Sequence, residues 1–337
     1  MIKKRNFDRP VSFWLDEELF WEKNRIESCL TIILRTRGCY WAERAGCVMC
    51  GYNVESDRRI TQQNVLKQLD FVRKEIGKME KIGKLEKPRI IKVFTSGSFF
   101  DPSELSKETR SKFYDFVEEV GAEKLIVESR PEFVKNAEEV SEREFLLEVG
   151  IGVESTNDFV RNRIIEKGFT FESFKEASKF LKDRGFSVKA YLLLKPPFLS
   201  EGEAINDAVD SSRTLIEGKY TDIISLNLMN VQSRTYVEKL WQRRFYRPPW
   251  LWSAVEVLKK VKGLDGLIIS DPVAAGKKRG PHNCGKCDKE VAEAIKRFSL
   301  TREPKVLEEV ECECRDWWRD YILAEKVARV PVGFQGF

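Results

Sequence analysis

Histidine is all but missing from this chain. One imidazole, His282, serves 337 residues. That scarcity removes a Ser-His-Asp or Cys-His nucleophile with its base and leaves little room for imidazole-led metal chemistry. Long apolar runs are missing too, since no stretch approaches the ~18 residues of a membrane-spanning helix. The opening MIKKRNFDRPVSFW is basic but is followed by the acidic WLDEELFWEK instead of an apolar segment with a small-residue cleavage site. A secretory signal is therefore not expected, and a cytoplasmic location without membrane attachment is. Neither sign of charge dominates: Lys and Arg number 59 against 54 Asp and Glu, a net +5 that permits an anionic partner without requiring one. Hydrophobic residues at 42% and charged residues at 34% place the protein among globular proteins, with length for one large domain or two modest ones.

What stands in place of imidazole is thiol. The 8 cysteines form two groups far apart in the sequence, Cys39, Cys47 and Cys50, then Cys284, Cys287, Cys312 and Cys314, with Cys29 left over inside an apolar run. In a reducing compartment such groups read as metal ligands and not as a disulfide framework. Cys29 reads as a core residue.

Short β-branched runs recur at Leu30–Leu34, Arg89–Thr95, Lys124–Glu128, Val149–Glu154, Val188–Leu194 and Asp222–Leu228. Segments with helical spacing lie between them, at Gln62–Ile76, Ser103–Val120, Ser141–Glu148, Phe171–Arg184 and Glu201–Ile216. Strand and helix alternate, which predicts an α/β fold with a parallel sheet, either a partial or full (β/α) barrel or an open doubly wound sheet. Either places its chemistry at the C-terminal ends of the strands. Beyond about Val231 the character changes, with a last apolar run at Gly266–Pro272 followed by the second cysteine group. The organisation expected is an N-terminal arm over 1–28, a core over 29–235 and a C-terminal four-cysteine extension over 236–337.

The first cysteine group, C-x7-C-x2-C, follows the first of these strands, where such a fold holds its active site. Three thiolates are one short of the four that close a structural zinc or complete the ligands of an ordinary [4Fe–4S] cluster, so one iron would stay open to a small molecule. S-adenosylmethionine radical chemistry needs such an iron. Zinc with a distant fourth ligand, Cys29 or an acid, is the other reading.

In RTRGCYWAERAGCVMCGYN, FTSGSFFDP, VESRPEF, GIGVESTND and LLLKPP, each at an expected strand end, the sequence resembles the radical S-adenosylmethionine enzymes. Within them it is similar to the archaeosine synthase radical subunit family, related to the Elongator catalytic subunit and the methylthiotransferase radical domains. The first cysteine spacing is longer than the common radical pattern, as the archaeosine group tolerates, and Met49 stands where many relatives have an aromatic residue. The resemblance implies a [4Fe–4S] cluster on Cys39, Cys47 and Cys50. It also implies S-adenosylmethionine held by Gly97 and Ser98 after the second strand, by Glu128 and Arg130 after the third, and by Glu154 and Ser155 after the fourth. Arg130 offers a planar fork to the methionine carboxylate and the acids offer acceptors to ribose hydroxyls.

The second group supplies four thiolates, a closed set, as in a zinc-ribbon-like site or an auxiliary iron–sulfur cluster. Around it lie Lys277, Lys278, Arg279, Arg315 and Arg319, and upstream Arg243 and Arg244, interleaved with Phe245, Tyr246, Trp317 and Trp318. Cations that neutralise phosphates beside rings that stack on bases are the grammar of RNA binding. The resemblance implies a lyase acting on a lysine-adducted 7-deazaguanine in the tRNA D-loop, where it breaks the C–N bond within the attached lysine. It implies as partners tRNA, the lysine-transferring subunit and an external one-electron donor. A radical enzyme acting on another RNA base, and a non-catalytic metal-stabilised RNA-binding protein, are the alternatives.

Overall fold

The computed structural model describes residues 6–81 and 87–328, so the first residues of the expected arm and the last of the expected extension lie outside the described residues. Eight strands follow one another in the same order along the sheet and along the sequence: β1 (Ser12–Phe20), β2 (Arg25–Ile33), β3 (Ile90–Phe94), β4 (Lys124–Glu128), β5 (Leu146–Glu154), β6 (Ser187–Leu194), β7 (Ile223–Leu228) and β8 (Leu267–Ile269). Sequential order is that of a (β/α) barrel sheet; a doubly wound sheet reverses its order at a switch point. Every later pairing described is parallel, and β1 lies antiparallel on β2.

The protein divides into two compact units. The first comprises the residues up to Ala45, with Tyr52–Ile151 and Glu176–Val188; the second comprises Gly46–Gly51, Gly152–Lys175 and everything from Lys189 onward.

In the first unit, helices α1 (Gln62–Lys81) and α2 (Lys107–Val120) flank the strands. The second half of β2 and most of β3 and β4 are buried on both faces, as strands covered on both sides must be. Phe20, Cys29, Ile90 and Ile126 form one fully buried cluster, and burial pushes the Cys29 thiol up to about 12. At the N-terminal ends of the strands, buried Lys124 pairs with Glu148 at 2.6 Å and with Glu22 at 2.8 Å. This is the end of such a sheet that carries stability.

Two stretches of the first unit differ from the sequence expectation. Ser141–Glu148 is not a helix. Helical turns run earlier, over Pro131–Val140, started by a proline at the first position and burying Val134, Ala137 and Val140 at three-residue spacing. The strand then begins at Leu146, because LLEVGIGVE is an apolar run apart from its last residue and Glu148, whose charge is paired with Lys124. Part of the expected arm is also a strand: β1 turns into β2 through Trp21–Lys23 and Asn24, which takes the left-handed conformation (φ 48°) that asparagine tolerates.

In the second unit, α3 (Phe171–Lys182, its last turns belonging to the first unit), α4 (Glu201–Glu217), α5 (Tyr236–Gln242) and α6 (Leu251–Val261) connect the later strands, and α7 (Asp288–Thr301) and α8 (Cys314–Ala328) complete it. α4 opens with a capping box, Ser200 and Glu203 exchanging side-chain-to-backbone bonds. No described helix is long and apolar enough to cross a membrane.

Candidate active site and metal centre

Cys39 lies in the first unit, just past β2, and is half-buried; Cys47 and Cys50, also half-buried, lie in the second. None of the three is in a disulfide. The loop after β3 passes close over Cys39: a Cβ placed on Gly97 would sit 2.7 Å from the Cys39 Cβ and 2.8 Å from its Cα. Only glycine fits there. Ser98, 1% exposed, accepts from the Arg130 N–H at 3.0 Å and so ties this loop to the end of β4, where Glu128 stands half-buried.

Beneath the loop sits Glu104, buried with both oxygens engaged: one accepts from the Ser98 N–H at 2.6 Å, the other from the Thr36 hydroxyl at 2.5 Å. Burial pushes its pKa up to about 7 despite these donors. The sequence placed Glu104 in the first turn of a helix starting at Ser103. The helix starts at Lys107 instead, capped by Ser106 accepting from the Thr109 N–H, which leaves Glu104 free to turn inward. Burial also raises the Cys39 thiol above its ordinary value.

Arg130 is buried with its guanidinium between the rings of Tyr40 and Trp41, 5.4 and 5.3 Å from their centroids, and donates to Glu132 at 2.9 Å. Tyr40 donates its hydroxyl to the same carboxylate at 2.6 Å. The residues beside Cys39 are thus held by the residues after β4.

In the second unit, Glu154 ends β5 with φ of 64° and receives the Lys167 ammonium at 2.6 Å. Ser155 donates to Asp207 on α4 at 2.7 Å, and burial pushes Asp207 up to about 6. Buried Lys195, the first residue past β6, is left-handed (φ 62°) and pairs with buried Glu201 at 2.6 Å. Glu201 also accepts from the Trp250 N–H at 2.7 Å and the Ser253 hydroxyl at 2.6 Å. Trp318 in turn donates to Ser253 at 2.8 Å, so α4, α6 and α8 meet on one buried carboxylate. Glu104, Asp207 and Glu201 carried no spacing signal, because a lone acid in a polar stretch reads as solvent-exposed.

The second cysteine group does converge. The sulfurs of Cys284, Cys287, Cys312 and Cys314 lie within 4.8 Å of one another, with Cys284 to Cys287 at 4.0 Å, Cys284 to Cys312 at 3.8 Å and Cys287 to Cys314 at 3.6 Å. A tetrahedron of sulfurs about 2.3 Å from one ion has edges of about 3.8 Å. The donor set therefore fits a single tetrahedral ion; a cubane would spread the same sulfurs over four separate irons. Trp252 donates its indole N–H to Cys314 at 3.2 Å and Asn283 its amide to Cys287 at 3.4 Å, bonds that favour thiolates. α7 begins just after Cys287 and α8 at Cys314, so two helix N-termini add positive dipole ends beside the anionic set. His282 stands apart, its Nδ1 2.8 Å from the Gly280 carbonyl.

Of the basic residues, Arg243, Arg244, Lys277 and Lys278 are exposed. Arg279 pairs with Glu238 at 2.6 Å and lies over Trp241, Arg319 pairs with Asp316 at 2.7 Å, and Arg315 is half-buried over Trp252. Trp317 and Phe245 are exposed, whereas Trp318 and Tyr246 belong to the core.

No family model matches the sequence. Archaeosine synthase subunit beta of Thermococcus kodakarensis is 41% identical over 326 residues, covering 93% of this chain and 96% of that protein. Archaeosine synthase subunit beta of Methanosarcina acetivorans is 37% identical over 333 residues, covering 96% and 93%. Among solved structures, the Elp3 protein of the archaeon Methanocaldococcus infernus, lacking its N-terminus, matches with a TM-score of 0.51 at 18% identity over 68% of this chain and 58% of that one. These near-full-length relatives show the family: the protein belongs to the archaeosine synthase subunit beta family.

Proposed function

We propose that this protein is a radical S-adenosylmethionine lyase of tRNA modification, cleaving the C–N bond within the lysine of a lysine-adducted 7-deazaguanine in the D-loop to leave archaeosine. The observation that carries this reading is the 37–41% identity, over nearly the whole length, to proteins named archaeosine synthase subunit beta. Cys39, Cys47 and Cys50 would hold a [4Fe–4S] cluster, and three thiols past β2 suit a cluster that keeps one iron open. When bound, the cluster and S-adenosylmethionine would supply the 5′-deoxyadenosyl radical chemistry needed for hydrogen abstraction near the lysine ε-carbon.

The protein's own residues position and shield. Gly97 and Ser98 bring backbone close to Cys39, with Glu104 holding that loop from below. Arg130 offers its planar guanidinium to the methionine carboxylate, Glu128 and Glu154 offer acceptors, and Ser155 orders the turn after β5 by donating to Asp207. The four-cysteine site takes zinc, supported by its sulfur separations. Arg243, Arg244, Lys277, Lys278, Arg279, Arg315 and Arg319 make the tRNA-facing surface of the 236–337 extension, with 29–235 as the catalytic core behind the 1–28 arm. The reading requires the lysine-transferring subunit, an external one-electron donor and a cytoplasmic setting.

Mass analysis of tRNA nucleosides after incubation with S-adenosylmethionine and reductant, with and without the partner, tests it. Archaeosine should appear only when lysine-adducted tRNA is supplied or made by the partner. Consumption of S-adenosylmethionine with another base altered would overturn it.

A further inference from the structure

Phe198 is placed at a cost. It is left-handed (φ 70°), and it stands 55% exposed while its neighbours Leu192 to Pro197 and Leu199 are all buried. A bulky side chain takes that backbone conformation only where its surroundings compel it, and such positions collect at functional sites. The exposed ring is not alone. Tyr236, 49% exposed at the start of α5, faces it with ring centroids 6.3 Å apart and planes inclined at 44°.

Both rings stand past strand ends, after β6 and after β7, and both belong to the unit that carries Cys47 and Cys50. The backbone of the Cys47–Cys50 loop is joined to this spot. The Tyr236 N–H donates to the Val48 carbonyl at 3.0 Å, and the Gly51 N–H donates to the Gln232 side chain at 2.5 Å. Two further non-glycine residues nearby in sequence, Lys195 and Arg234, are also left-handed, at φ 62° and 64°.

We infer that Phe198 and Tyr236 form a stacking platform for a nucleobase drawn out of an RNA strand beside the Cys47–Cys50 loop. The inference rests on the proposed tRNA substrate and adds the place where its base is gripped. The aliphatic residues of the same loops, Leu199, Met229, Val231 and Val237, are all buried, so the spot offers flat rings without the aliphatic surface on which a protein partner would pack. Exposed Arg234, Arg243 and Arg244 supply cations for the phosphates that flank a base. An enzyme acting on a base within a folded strand must bring it out of its stack, and aromatic faces are what receive it.

The test uses a D-loop RNA hairpin with 2-aminopurine at the target position, whose fluorescence is quenched on stacking, while anisotropy of a distant label reports total binding. The wild-type protein should bind and quench. Phe198→Ala and Tyr236→Ala should each lose most of the quenching and weaken binding by roughly 5- to 150-fold, the range for one base stacked on one ring. Phe198→Tyr and Tyr236→Phe keep a ring and should restore the quenching, which separates the platform from a folding defect. Binding without quenching, or quenching that survives both alanine substitutions, would overturn the platform and leave the tRNA reading standing. Failure of the RNA to bind the wild-type protein would overturn both.

Discussion

The two cysteine groups make opposite use of the same side chain. At Cys284, Cys287, Cys312 and Cys314 four sulfurs meet at the separations of one tetrahedral ion, with an indole, an amide and two helix N-termini supporting them. Cys39, Cys47 and Cys50 are three half-buried thiols in irregular loops, and at Cys39 the backbone of Gly97 comes close where any side chain would clash. A set of four, closed and supported, suits structure; a set of three, accessible and approached by backbone, suits a cofactor that must be reached. The contrast extends through the first unit, since its N-terminal strand ends carry the Lys124–Glu148–Glu22 network and the C-terminal end of β3 leads into the glycine-dependent loop against Cys39.

If the four-cysteine site is the structural one, stripping its metal should have the largest effect on stability. A strong chelator, or Cys287→Ala, is expected to lower unfolding free energy by more than about 5 kcal/mol, read as a shift in the denaturation midpoint alongside metal release. A midpoint unchanged after the metal has left would erase the contrast. Next in size is Glu201→Ala. It strands buried Lys195 without its counter-charge and removes the acceptor of Trp250 and Ser253, at a cost of about 3–5 kcal/mol by denaturant titration.

Asp207→Asn should reveal a pH dependence. The folded carboxyl is pushed up to about 6 from 3.8, so the folded state holds a proton that the unfolded state has lost. Its contribution is full below pH 3.8 and is lost as pH rises through about 6. The variant should therefore gain on the wild type by about 3 kcal/mol between about pH 4 and 7, and parallel stability curves would show that burial at Asp207 does not matter. The smallest expected stability effect is at the open site. Gly97→Ala forces the loop away from Cys39 for about 1–3 kcal/mol, yet it should weaken S-adenosylmethionine binding more than that cost suggests, as measured by calorimetry on reconstituted protein.

The sequence carried the βα rhythm because buried parallel strands are continuous apolar runs, and it carried the four-cysteine group because ligand spacing survives in one dimension. It did not carry β1, whose consecutive charged residues Asp16 and Glu17, both exposed, break the apolar signal. It misplaced the helix at Ser141–Glu148, where proline at 131 was the better signal. Glu104, Asp207 and the Lys195–Glu201 pair were invisible, since burial of a charge is decided by residues distant in the sequence. The exposure of Phe198 was hidden for the same reason: in LLLKPPFL it reads as one more core residue.

The central claim is that the three-thiol group, and not the four-thiol group, carries the radical chemistry. Anaerobic reconstitution of wild-type protein and of a Cys39→Ala, Cys47→Ala, Cys50→Ala variant, followed by assay of 5′-deoxyadenosine and of bound iron and zinc, tests it most directly. The account predicts that the variant keeps its zinc and its fold while losing cluster iron and all S-adenosylmethionine cleavage. Cleavage that persists in the variant would contradict it.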